Sequence, residues 1–127
     1  MPTMTIDHNY FTSHAEVMQD IATTGFWPTT YVSGQSPELP VHHHDYDIIG
    51  YVLEGSSYLL DENEQRVEIK AGDRLNIPKG AWHAEGAVTS QMTYIVTVSE
   101  PIGLMQALMP LEPRGPMPDF SQLNINV

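Results

Sequence analysis

From Arg66 to Ala71 the chain alternates, with Arg66, Glu68 and Lys70 polar and Val67, Ile69 and Ala71 apolar. It alternates again from Gln91 to Ser99, where Met92, Tyr94, Val96 and Val98 are interleaved with Gln91, Thr93, Thr97 and Ser99. A period of two marks a strand with one buried face. Residues 46–53, Tyr-Asp-Ile-Ile-Gly-Tyr-Val-Leu, read as a more fully buried strand, and 57–60 continues after a tight turn at Glu54-Gly55-Ser56. Asp61–Gln65, Ala71-Gly72-Asp73 and Pro78-Lys79-Gly80 are further turns. Short strands separated by such turns predict an antiparallel sandwich or barrel. One stretch has helical spacing: Ser13 and Glu16 suit a capping box, Val17, Met18 and Ile21 follow, and Gly25 suits a left-handed C-terminal residue. The spacing predicts a helix over about 14–23. The sequence divides into an N-terminal arm and helix (1–25), a barrel (about 26–100) and a Pro-rich arm (101–127). In that arm a helical turn is expected at 102–109.

Composition narrows the function. The 127 residues suffice for one domain, and 41% are hydrophobic. Sixteen Asp and Glu against five Lys and Arg give a formal charge of −11. Such a surface repels phosphate backbones and anionic lipid, so neither a nucleic-acid nor a membrane partner is expected. No Cys is present, which excludes disulfides, thiolate ligands and Cys nucleophiles. The N-terminus shows neither a basic nor an apolar signal region, and a cytoplasmic location is expected. No Gly-x-Ser-x-Gly elbow or phosphate-cradling loop occurs.

The histidines carry the candidate chemistry. His42, His43 and His44 are consecutive, and His83 follows a Pro-Lys-Gly turn. On a strand, residues two apart share a face, so His42 and His44 point together into one cavity while His43 points out. Two imidazoles from one strand and a third from a distant one make a ligand set with open positions, as a catalytic metal requires.

Gly72, Pro78, Gly80 and His83 fall at the spacing of the second cupin motif, with Ala87 where that motif ends in Asn. His42, His44 and Gly55 match the first cupin motif, with Ser36 at its opening Gly position. Over about 36–87 the sequence therefore resembles the cupins. The resemblance implies an all-β fold, a double-stranded β-helix or jelly-roll barrel, with one short N-terminal helix. It also implies a divalent metal on His42, His44 and His83. Typical cupins add a Glu, but that position here holds Ile48. Three explanations follow: a three-His site, an acid substituting from nearby, or a retired metal site. Asp47 is the first candidate substitute and Asp45 the second, though both have the wrong parity and would need a bulge.

The three-His reading resembles cupin dioxygenases and favours Fe(II), with Zn, Ni or Mn as alternatives. The expected function is then a dioxygenase-type enzyme acting on a small anionic or chelating organic substrate. A metal-dependent lyase or isomerase and a non-catalytic binding or sensor barrel are the alternatives. Tyr51, Tyr58 and Tyr94 are candidate catalytic acids or bases, with Trp82 and Met92 as further cavity-lining residues. Gly50 and Val52 share the parity of the ligands and should face the cavity. Glu85 is either an acceptor for an imidazole N–H or a solvated charge. Resemblance to small cupins also leads us to expect a homodimer.

Overall fold

The computed structural model describes residues 2–102, 106, 109–117 and 125–126. The elements are β1 (Thr5–Asp7), α1 (His14–Thr24), β2 (Trp27–Ser33), β3 (Ile48–Glu54), β4 (Ser56–Leu60), β5 (Arg66–Lys70), β6 (Arg74–Ile77), β7 (Ala84–Glu85), β8 (Met92–Val98) and β9 (Ile125–Asn126). They form a sheet in the order β1-β6-β3-β8-β2-β9 and a second in the order β5-β4-β7. All pairings between these strands are antiparallel. This is the all-β barrel expected, with one helix. Most of the helical turn expected at 102–109 lies outside the described residues.

The period of two sorts β3 between two environments. Its even positions Ile48 and Val52 join apolar clusters with Leu59, Ile69, Leu75, Ile77 and Val96. Its odd positions Ile49 and Tyr51 pack with Val17 and Ile21 of α1 and with Phe11. Helix α1 starts at Ser13, whose Oγ accepts from the Glu16 amide at 3.3 Å. The Glu16 carboxylate takes hydrogen bonds from the Thr12 and Ser13 hydroxyls. Gly25 closes the helix at φ 73°, donating to the Ile21 carbonyl. Met18 shares the helical spacing but is 52% exposed, because the buried stripe is only as wide as Val17 and Ile21.

A polar joint helps fix α1 to the sheet. Asp20 accepts from the Tyr51 hydroxyl at 2.5 Å and the Tyr10 hydroxyl at 2.8 Å, and Arg74 Nη1 lies 3.2 Å from it. Burial, followed by this hydrogen bond, pushes the Tyr51 phenol well above its ordinary pKa. Asp20→Ala would leave the buried Tyr51 hydroxyl without its acceptor. It is expected to destabilise the fold by about 2 kcal/mol, read as a shift in urea midpoint. A second joint ties the N-terminal arm to the barrel. The buried Asp73 carboxylate accepts from the Asn9 and Lys70 amides at 3.0 and 2.9 Å, and His8 Nδ1 lies 3.1 Å away.

Candidate metal centre

The segment carrying the histidine triplet is held to the segment around His83 by a single antiparallel bridge. The His42 amide donates to the His83 carbonyl and the His83 amide to the His42 carbonyl, both at 2.8 Å. Alternation then does what the sequence requires. His42 and His44 turn inward and are buried, while His43 turns out to the Glu112 carboxylate and the Trp82 ring. The turn at Pro78-Lys79-Gly80 is pinned by the Gly80 amide donating to the His44 carbonyl at 2.9 Å. It delivers His83 fully buried beside the other two rings, whose centroids stand 4.9 and 5.1 Å from its own.

A fourth group completes the cluster. One ligand atom each from His42, His44, His83 and Glu85 lies within 4.8 Å of all the others. Glu85 sits on β7, two residues past His83, so the period that pairs His42 with His44 also pairs His83 with Glu85. Gly86 lets this strand close in, because its amide donates to the Tyr58 carbonyl at 2.8 Å. A Cβ there would collide with the Tyr58 carbonyl and ring. The carboxylate absent at Ile48 of β3 is thus present on β7. Asp47 is exposed, and its carboxylate accepts from the Lys79 amide at 2.8 Å, away from the cluster. Asp45 is also exposed and pairs with the Lys79 ammonium. The chain bends at Asp45 and Tyr46 before β3 begins, and both carboxylates are taken by Lys79 outside the cluster.

The chemistry of the donors fits a divalent cation. Each inward ring has its Nδ1 against a carbonyl: His42 on Pro40 at 2.7 Å, His44 on Met109 at 2.9 Å, His83 on Ala81 at 3.0 Å. A carbonyl only accepts, so the neutral rings carry their proton on Nδ1 and present an Nε2 lone pair to the cluster. His83 Nε2 and Glu85 Oε2 are buried without a hydrogen-bond partner. His42 Nε2 lies 3.4 Å from Glu85 Oε2, and His83 Nε2 lies 3.6 Å from Glu85 Oε1. These are long for hydrogen bonds. They are ordinary for ligands sharing one ion, which at ligand distances of about 2.0–2.2 Å stand roughly 3–4 Å apart.

The electrostatics separate the three rings. Burial lowers His42 and pushes His44 down to about 4, so both are neutral at physiological pH. Burial disfavours the His83 cation too, but the adjoining Glu85 outweighs it and raises this imidazole. Burial likewise opposes ionisation of Glu85, yet His83, then His42 and His44, hold its carboxyl well below the usual range.

A cavity runs from this cluster into the barrel. Its volume is about 60 Å³. His44 and Glu85 stand at the end beside the cluster, with Ile48, Ile69, Leu75, Met92 and Val96 among the walls. Gly50 lines it as its parity predicts, whereas Val52, of the same parity, is fully buried in the apolar cluster with Leu59, Ile69 and Leu75 and does not.

Among the candidate tyrosines, Tyr58 and Tyr94 line the cavity. Tyr51 does not: its odd parity on β3 turns it to the helix side, where its hydroxyl is taken by Asp20. The Tyr58 hydroxyl is engaged by Glu38 at 2.6 Å. Trp82 lies outside the lining and packs on His43 and Arg114.

A family model, the cupin domain, matches residues 29–99, and the chain belongs to the cupin family. No curated protein sequence matches it. Among solved structures, a DUF861 family protein from Thermotoga maritima is 17% identical with a TM-score of 0.53, covering 75% of this chain and 98% of its own. The acireductone dioxygenase from Bacillus anthracis, solved with a cadmium ion in its active centre, is 16% identical with a TM-score of 0.56. The match covers 77% of this chain and 63% of the dioxygenase. A DMSP lyase from Ruegeria pomeroyi is 23% identical with a TM-score of 0.52, over 70% of this chain and 45% of the lyase. At these identities the likeness is one of fold. Among the described residues, no helix is long and apolar enough to cross a membrane.

Proposed function

We propose that this cupin is a divalent-metal enzyme of dioxygenase type, acting on a small organic substrate that binds as an anion or chelate. His42, His44, His83 and Glu85 would hold the metal. The observation that carries the reading is the convergence of three Nε2 lone pairs and a buried, unpartnered carboxylate oxygen at the end of an apolar cavity. A divalent ion there supplies Lewis acidity and open positions for substrate. One carboxylate against a dication leaves the centre with a net positive charge, which favours an anionic substrate.

The mostly apolar cavity walls favour a small substrate with an apolar body and its charge at the end beside His44 and Glu85. Glu85 makes this a three-His, one-carboxylate set, so the oxygenase reading no longer rests on a carboxylate-free site. Its support is the combination of a chelating site with a mostly apolar pocket. The second reading, a lyase or isomerase, is favoured by Tyr94. Its ring lines the cavity, where a phenol would give or take a proton.

The test is oxygen uptake by protein reconstituted anaerobically with Fe(II), over a panel of short hydroxy acids, keto acids and 1,3-diketones. Uptake matched to substrate loss, and abolished in His83→Ala, is the expected result. Loss of substrate without oxygen on Zn(II), Ni(II) or Mn(II) protein, reduced in Tyr94→Phe, would select the lyase. A ligand that stabilises the protein and is recovered unchanged would make it a binding barrel.

A further inference from the structure

Two of the three inward histidines are oriented from close by. His42 is held by the carbonyl of Pro40 and His83 by that of Ala81, each two residues upstream. His44 is oriented from the far end of the chain, by the carbonyl of Met109. We propose that the segment 109–114 is a strap whose docking sets the tautomer and aim of His44. Its bearing on metal binding rests on the functional reading above.

The strap is joined to the histidine segment along its length. The His43 and Leu111 backbones exchange hydrogen bonds of 3.2 and 2.8 Å, and the Arg114 amide donates to the Val41 carbonyl at 2.8 Å. It therefore runs antiparallel beside residues 41–43. Side chains fasten it at the outer face. Glu112, at φ 48°, brings its carboxylate 3.0 Å from His43 Nε2. The Arg114 guanidinium lies 4.6 Å over the Trp82 ring and donates to the Glu62 carbonyl. His43 packs edge-on against the same ring. The Met109 and Leu111 side chains are 60% and 37% exposed, so hydrogen bonds and ring contacts, more than apolar burial, hold the strap. His43 and Trp82 thereby become the outer anchors of the element that orients the neighbouring ligand.

Released from the strap, His44 has no carbonyl acceptor for its Nδ1 proton. A neutral imidazole in water prefers the proton on Nε2, which would remove the lone pair the site needs. Two variants of the full chain test this. Leu111→Pro deletes the amide that bonds to His43. The double variant Glu112→Ala, Arg114→Ala removes the outer fastenings while keeping the backbone. Amide exchange at His43 and residue 114 reports strap release, and ¹⁵N shifts of the histidine rings report tautomers in metal-free protein.

The expected result is loss of the Nδ1–H form at His44 alone, with His42 and His83 unchanged. Zn(II) affinity, from competition with a chromophoric chelator, is expected to fall about 10–100-fold. A His44 that keeps its Nδ1 proton once the strap is released overturns the proposal. A wild-type protein whose His44 tautomer depends on the strap, yet which binds no Zn(II), sustains the strap and overturns the metal reading.

Discussion

Replacing either His83 or Glu85 by Ala is expected to strip the protein of stoichiometric metal, while Asp47→Ala retains it. His83 and Glu85 are the pair contributed by the segment after the Pro78-Lys79-Gly80 turn, and both present buried atoms that no hydrogen bond satisfies. Removing either leaves an incomplete set, and the loss should exceed the roughly 10–100-fold in affinity that an outer hydrogen-bond partner is worth. Asp47 spends its carboxylate on the Lys79 amide. The effect is also visible in stability. A metal at a thousand times its Kd stabilises the fold by about 4 kcal/mol, on the order of 10–15 °C in Tm for a chain of this size. That upshift should be present in wild type and Asp47→Ala and absent in the other two. Elemental analysis and melting curves with added Zn(II) decide it. Metal retained by Glu85→Ala and lost by Asp47→Ala would exchange their roles.

The second large effect concerns backbone rather than ligands. Gly55, between β3 and β4, sits at φ 87°, and a Cβ there would stand 2.6 Å from the Gln91 carbonyl oxygen and 3.2 Å from Met92 Cα. Gly55→Ala therefore combines left-handed strain, about 1–2 kcal/mol, with a backbone collision that flexible side chains cannot relieve. A loss of about 3 kcal/mol or more is expected. Gly25→Ala separates the two contributions, since Gly25 has φ 73° but open space around its missing Cβ. It should cost only the strain. Equal losses in chemical denaturation for the two variants would show that the collision at Gly55 is relaxed.

The parts legible in the sequence are those with enough repeats of a period. β3, β5 and β8 announce themselves through runs of five to seven alternating or apolar residues. β2 does not, because Pro28 interrupts it. That proline is tolerated because β9 pairs only with Val32 and Ser33, leaving the edge beside Pro28 without a described partner strand. β1 and β7, of three and two residues, are too short to show a period. That brevity hid Glu85. One acid two residues from a histidine matches a solvated charge as well as an imidazole acceptor, and it is β7 set against β4 that places it in the cluster. The histidines were legible because His42 and His44 flank an outward neighbour and His83 follows a rigid turn. The strap was not, since a proline-rich stretch has no period, and its attachment to His43 joins residues far apart in sequence.

The paired backbone hydrogen bonds between His42 and His83 also close a long loop of the chain. Closing a loop between residues 42 and 83 costs on the order of 3 kcal/mol in chain entropy, by the (3/2)RT ln n scaling. That one closure brings both halves of the proposed ligand set together, since His44 and Glu85 each lie two residues beyond the bridge on their own segments. The folded chain thus meets an ion with its long-range entropy already spent. In the unfolded chain the three adjacent histidines are a dense local set of donors, among them His43, which the native fold turns outward. On the proposed metal reading, an ion present during refolding would meet a local set that includes His43 along with the rings the fold turns inward.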